Sequence, residues 1–244
     1  MKNVLSVAAV LTVGLMLPAQ AADMAARPIT KAPPPPVVSV YNWTGFYIGG
    51  QVGYAWGDNR TTEFVTATGV FNNFSRNYNS DGVVGGVHAG YNWQAGQFVF
   101  GLEGDLEGAD VRGGYRLVNT NGTDYRLQAQ ASIRGRLGVA FNNSLLYVTG
   151  GAAFADIEHT YVFANTLFES VSQTRTGWTV GAGWEYGFTP NWSARVEYRY
   201  TDFGSYRERS TFSFPGFTYE DHPVYHTVRA GVSYRFGGPV VAKY

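Results

Sequence analysis

The sequence predicts an all-β fold, an eight-stranded antiparallel transmembrane β-barrel with up-and-down meander topology, and three observations carry that prediction. About eight segments alternate apolar and polar or small residues with period two, the signature of a strand with two unlike faces. Very short connections alternate with long ones along the chain, as in a barrel with tight turns at one end and long loops at the other. A segment with the features of a cleavable export signal precedes all of them. A half-buried soluble sheet explains the alternation alone, as in lipocalin-like barrels and sandwiches, but not the combination.

The export segment is residues 1–21. Lys2 supplies the basic start and residues 4–17 an apolar core short for a helical span. Ala19 and Ala21 flank Gln20 as the small-x-small site, giving a mature start at Ala22. No later stretch approaches 18 uninterrupted apolar residues, so any membrane crossing has to be made by a closed ring of strands. Residues 22–40 form a leader containing Lys31-Ala-Pro-Pro-Pro-Pro36, which reads as a semi-rigid polyproline spacer. The barrel is assigned to residues 41–236 and a short tail to 237–244.

The strands follow in order. Over residues 43–57, Phe46, Ile48, Val52, Tyr54 and Trp56 form one face and Tyr47, Gly49, Gln51, Gly53 and Ala55 the other. Residues 58–81 show no sustained period and read as a long loop. The second strand, 82–94, sets Val83, Val87, Ala89, Tyr91 and Trp93 against Val84, Gly86, His88, Gly90 and Asn92, and Ala95-Gly96 makes a tight turn. The third, 97–110, opposes Phe98, Phe100, Leu102 and Leu106 to Val99, Glu103, Asp105 and Glu107. A loop through Gly113-Gly114 and Asn121-Gly122 leads to the fourth, 125–141. There Leu127, Ala129, Ala131, Ile133, Leu137, Val139 and Phe141 oppose Gln128, Gln130, Ser132, Arg134 and Arg136. Asn142-Asn143 is the next turn.

In the fifth strand, 144–157, the run Leu145 to Val148 hides the phase. After a loop at 158–173, the sixth, 174–188, places Trp178, Val180, Ala182, Trp184, Tyr186 and Phe188 opposite Thr179 and Glu185, and Thr189-Pro190-Asn191 turns the chain. The seventh, 192–203, opposes Trp192, Ala194, Val196, Tyr198 and Tyr200 to Ser193, Arg195, Glu197 and Arg199. A loop at 204–223 leads to the last, 226–236, in which Val228, Ala230, Val232, Tyr234 and Phe236 oppose Thr227, Arg229, Gly231, Ser233 and Arg235. Trp93, Phe98, Phe141, Phe188 and Trp192 lie beside the short turns, as an aromatic girdle does.

The closing strand, Asn42-Trp43-Thr44-Gly45-Phe46-Tyr47-Ile48-Gly49-Gly50 and Tyr147-Val148-Thr149-Gly150-Gly151-Ala152 resemble the small outer-membrane β-barrels of alphaproteobacteria, the porin-family surface immunogens with an OmpA/OmpX-like barrel. The resemblance implies a location in the outer membrane of a Gram-negative bacterium, contact with its lipid and lipopolysaccharide, and a surface-antigen role. Arg229, Gly231, Tyr234 and Phe236 resemble the terminal signal read by the barrel-assembly machinery, here followed by eight more residues instead of the chain end. Relatives implicated in haem binding suggest a surface ligand (host, phage or haem) on the loops, toward which only His159 and His222 point.

Charge narrows the chemistry. The 18 basic and 18 acidic residues cancel, leaving no basic footprint for nucleic acid. All basic residues but Lys2, Lys31 and Lys243 are arginines, suited to bidentate carboxylate pairing. The period places Glu103, Asp105, Glu107, Arg134, Arg136, Glu185, Arg195, Glu197, Arg199, Arg229 and Arg235 inside a barrel only wide enough to be filled by side chains. An interlocked charge network is therefore expected, the acids of the third strand facing the arginines of the fourth and Arg229 and Arg235 lying near the first or seventh. No catalytic pair emerges: Glu103 and Glu107 are ~13 Å apart along one strand, outside glycosidase spacing. The histidines His88, His159, His222 and His226 lack metal-ligand spacing, and with no cysteine neither a cofactor nor a metal is expected. The leading expectation is a non-enzymatic surface barrel contributing to envelope integrity. The alternatives are a small-solute porin and a lipid-A-modifying enzyme using His226.

Overall fold

The computed structural model describes residues 41–116, 122–163, 167–209 and 216–237. The export segment with Ala19, Ala21 and Ala22, the leader, Asn121 and the tail beyond Gly237 lie outside the described residues. Among the described residues nine strands form one antiparallel sheet: β1 (Gly45–Val65), β2 (Val70–Ala95), β3 (Phe98–Arg116), β4 (Gly122–Phe141), β5 (Ser144–Phe163), β6 (Leu167–Gly187), β7 (Trp192–Asp202), β8 (Tyr206–Arg209) and β9 (Phe217–Arg235). Neighbours in sequence pair in order, and β9 pairs with both β7 and β1, which closes an eight-membered ring; β8 is a fragment beside β9 alone. Closure leaves no sheet edge across the lipid-facing band, the condition for strands in a bilayer.

The outer wall is apolar all the way round. Ile48, Val87, Leu102, Ile133, Val148, Val180, Val196 and Val228 all face outward and are exposed. A band of this extent needs hydrocarbon, not water, around it. Phe46, Trp93, Phe98, Phe141, Phe188, Trp192 and Phe236 border it at the short-turn end, and Tyr54, Trp56, Trp178 and Tyr198 border it at the other. Inside, close strand packing demands small residues: a Cβ at Gly86 would lie 2.0 Å from the Leu106 carbonyl oxygen.

The strands run well past the expected ends. The stretch 58–81 is a hairpin, with Asp58 opposite Asn79, Arg60 opposite Asn77 and Thr62 opposite Ser75. β5 and β6 likewise continue to Phe163 opposite Leu167, and the last strand begins at Phe217. Beyond the lipid-facing band both faces of a strand are polar, so the ladder persists while the alternation that advertises it disappears.

Two phase assignments are overturned, at adjacent positions: Gln128, expected inward, is exposed. Leu127, expected outward, is 1% exposed inside the barrel, because the β4–β5 register shifts between Leu127 and Ala129. The extra residue at this bulge, Gln128, moves everything beyond it to the opposite face. In β5 the phase hidden in the sequence resolves, with Leu145 and Tyr147 inward and Leu146 and Val148 outward.

The interior is layered. At the short-turn end Tyr41, Trp43, Val99, Leu145 and Tyr147 pack together. At the long-hairpin end Tyr78, Val84, Val111, Tyr125, Leu127, Ile157, Phe203 and Tyr225 form a second apolar and tyrosine-rich layer. The charged residues lie between.

Candidate functional site: the charged interior

Period two delivers the carboxylates of β3 (Glu103, Asp105, Glu107), Glu185 of β6 and Glu197 of β7 to the inside. It also delivers Arg134 and Arg136 of β4, Arg195 and Arg199 of β7, and Arg229 of β9, all buried. Glu103 accepts hydrogen bonds from Arg134 (2.5 Å), from Arg195 and from the Tyr47 hydroxyl (2.8 Å). Glu197 accepts from Arg134 (2.6 Å), Arg229 (2.5 Å) and the Tyr147 hydroxyl (2.9 Å). Glu107 accepts from Arg199 (2.7 Å), Arg229 (2.8 Å), Gln51 (2.6 Å) and Gln130 (2.6 Å). Asp105 pairs with Arg199 at 3.1 Å and Arg134 at 3.2 Å and accepts from Ser132.

Some partners are ladder neighbours, such as Glu103 with Arg134 and Glu197 with Arg229. Others bridge between β3 and β7, strands that share no ladder: Arg195 with Glu103 and Arg199 with Glu107. These carboxylates and guanidiniums match one for one. Each of these buried charges thereby finds an opposite charge, as low-dielectric surroundings demand, while the Nε–H groups of Arg134, Arg136 and Arg199 are buried without a hydrogen-bond partner among the described residues.

Arg136 is not paired with the acids of β3. It binds Glu185, which also accepts from Ser193, and its guanidinium stands 3.8 Å from the Tyr147 ring centroid. Arg235 departs from the expected network. It donates to the carbonyl oxygens of Thr44 (3.1 Å) and Pro190 (2.5 Å) and lies 4.8 Å from the Tyr41 ring centroid, so it belongs to the closing layer. The chain ends its ladder there and leaves carbonyls that need donors. Of the terminal-signal residues, Arg229 is in the network, Gly231 sits inward against the Gly50 carbonyl, and the rings of Tyr234 and Phe236 are 5.1 Å apart in the short-turn girdle.

The residues that sequence reasoning passed over are the uncharged members: Tyr47, Gln51, Gln130, Ser132, Tyr147 and Ser193. All but Tyr147, whose phase the run Leu145 to Val148 hides, stand on faces whose inward phase the sequence shows, and that phase was the available signal. His88 joins them, 2.8 Å from the Ser233 hydroxyl. His226 is outside, stacked on Trp56 and 2.6 Å from the Tyr198 hydroxyl. His222 lies 3.1 Å from Asp202, and the His159 side chain is outside the described residues.

Asp221 lies five residues beyond His226 on β9, past the lipid-facing band. Burial pushes its carboxyl up to about 7 from an ordinary 3.8, opposed by its hydrogen bond from Thr61 and reinforced by the nearby Glu208; Arg175 lowers it and Glu220 raises it. The folded rim therefore holds this proton more tightly than the unfolded chain does. The resulting stabilisation is full at acid pH, declines as pH rises from about 4 to 7, and is absent above. Amide exchange in β8 and the start of β9, corrected for its intrinsic rate, should accelerate between pH 5 and 7.5, and Asp221→Asn should remove that dependence. An unchanged profile in the native chain would show the carboxyl to be solvated.

The outer membrane protein beta-barrel domain family matches residues 7–236. The 31 kDa outer-membrane immunogenic protein of Brucella melitensis is 33% identical over 234 residues, covering 87% of this chain and 93% of its own length. The 22 kDa outer membrane protein of Rhizobium leguminosarum is 39% identical over 172 residues, covering 70% and 69%. Among solved structures, the outer membrane protein OprG from Pseudomonas aeruginosa superposes with a TM-score of 0.52 at 10% identity, covering 81% of this chain and all of OprG.

Proposed function

This chain belongs to the outer membrane protein beta-barrel domain family and resides in the outer membrane of a Gram-negative bacterium, and from that premise we propose that it is a sealed, non-enzymatic surface barrel. Its interior serves stability, and its long hairpins serve contact with the outside. The observation that carries this reading is the bridging of β3 and β7: Glu103 and Glu107 are tied to Arg195 and Arg199 between strands that share no ladder, with apolar layers above and below. A side-chain-filled eight-strand interior has no room for a wide water column. Glu103 is held by Arg134 and Arg195 and Glu107 by Arg199 and Arg229, so the oxygens of both carboxylates are already taken up by ion pairs.

Lipid and lipopolysaccharide contact the outer wall. The closing strand, with Arg229, Gly231, Tyr234 and Phe236, is the part offered to the barrel-assembly machinery. The names of the immunogenic relatives support exposure of the long-hairpin end, where a host, phage or haem ligand would bind. His222 is already paired with Asp202, which weakens the haem reading.

Planar-bilayer recording on the purified barrel tests the seal. It should be nearly silent at neutral pH, whereas steady openings in every reconstituted barrel would establish the small-solute porin instead. The lipid-A enzyme reading predicts altered lipid A when the chain is overexpressed and its loss in His226→Ala; the sealed-barrel reading predicts no change in either.

A further inference from the structure

Above the lipid-facing band the ring is not continuous. The β6–β7 ladder ends at Trp178 opposite Asp202, yet β6 runs on to Leu167, paired among the described residues to β5 alone. The cause is local. After Asp202 the chain breaks at Gly204, whose φ of +68° suits glycine and whose N–H donates to the Asp202 carboxylate at 2.7 Å. Phe203 turns inward, its ring 6.2 Å from that of Tyr225, and when strand structure resumes as β8 it pairs with β9 and not with β6.

The β6 edge that results, Ser170-Val-Ser-Gln-Thr-Arg-Thr176, begins one residue beyond Gly177, which packs against the backbone of Asp202 and Phe203, and contains no proline or lysine. Natural edges exposed to water are usually blunted by such residues. In the bilayer an open edge is excluded, and this one begins just beyond Trp178, in the outer girdle, where water takes over. Its one charged side chain, Arg175, reaches toward β8, where it pairs with Glu208 and stacks 3.7 Å from the Tyr206 ring centroid.

We propose that the backbone edge of β6 from Ser170 to Thr176 is a docking site for an extended peptide segment of another protein, which adds as a strand to β6 alone, on the side that faces β8, and sets a carboxylate against Arg175 in place of Glu208. Backbone hydrogen bonds give such addition its affinity, and the side chain opposite Arg175 gives it charge preference. The inference rests on the surface-contact part of the proposed function and is independent of the sealed lumen, so a conducting barrel would leave it standing.

The test uses the full-length barrel in lipid nanodiscs and synthetic peptides of about eight alternating Thr and Val residues, with Glu or Lys at the centre. The Glu peptide should bind about threefold more tightly than the Lys peptide, the scale of one exposed ion pair. N-methylation of alternate peptide amides should weaken binding roughly tenfold or more on one edge of the peptide and little on the other. Of Gln173→Pro and Thr174→Pro, the one whose N–H points away from β5 should fold with native heat-modifiable mobility and lose the peptide. Three results would overturn the proposal. One is a folded proline variant of each kind that binds as before. The second is protection of the Ser170–Thr176 amides in the free barrel equal to that of β5. The third is disulfide-linked dimerisation of Thr174→Cys barrels without peptide binding, which would make a second copy the occupant.

Discussion

Replacing Glu103 by alanine should destabilise the folded barrel by roughly 3–5 kcal/mol, the cost of leaving buried charge without its partner. Glu103 is the acceptor shared by Arg134, Arg195 and Tyr47. Arg134 keeps Glu197 when it is lost, but among the described residues Arg195 keeps only the neutral Gln51 oxygen at 2.6 Å as a hydrogen-bond acceptor. The midpoint of urea unfolding in lipid, followed by heat-modifiable gel mobility, measures the loss. Asp110→Ala, which breaks the exposed pair with Arg112, should leave that midpoint in place. Removing both sides of one contact, as Glu103→Leu with Arg195→Leu, should recover part of the loss, since an apolar pair no longer strands a charge. A Glu103→Ala barrel as stable as the parent would mean that water, not arginine, surrounds that carboxylate.

The second large effect is expected at the short-turn end. Trp43→Ala should cost about 3–5 kcal/mol, because the indole is buried against Tyr41, with ring centroids 4.4 Å apart, and truncation leaves a cavity. Its backbone N–H also donates to the Gln94 side chain at 2.8 Å, tying the entry of the chain to β2. Trp56→Ala, by contrast, removes a girdle ring stacked on His226 and should cost about 1 kcal/mol. Equal losses in the same unfolding assay would contradict the placement of Trp43 inside and Trp56 outside.

Trp43 also shows where sequence reading stops. Nothing in its neighbourhood separates a tryptophan that plugs a barrel end from one in a girdle, because the difference lies in how the chain enters the ring. The alternating rows of β7 and β9 were legible because lipid on one side and charge on the other enforce opposite chemistry on successive residues. Where that contrast fades, so does the signal: residues 58–65 and 70–81 pair as strands although polar side chains stand on both faces, Asp58 and Arg60 exposed outside and Asn59, Thr61 and Ser80 buried inside. Leu127 was misplaced because a single bulge residue, Gln128, carries no mark of its own.

Membership of the interior could be read from phase, but the choice of partners could not. That Arg195 takes Glu103 on β3 and not Glu185, its direct ladder neighbour, depends on ring curvature and strand stagger. Arg235 has the same phase as Arg229, yet at the strand end the nearest acceptors are backbone carbonyls.

The chain has no cysteine, which opens the most direct measurement: single cysteines at the adjacent positions Val148 and Thr149, and at Val228 and Thr227, in barrels held in native outer membranes. Val148 and Val228 are 56% and 43% exposed toward lipid, whereas Thr149 and Thr227 are buried inside at 6% and 2%. Labels at 148 and 228 should be quenched by a lipid-soluble quencher, and thiols at 149 and 227 should stay unreactive toward a small cationic reagent in water. Rapid modification of the inner pair from water, or quenching that does not alternate between neighbours, would contradict the sealed interior.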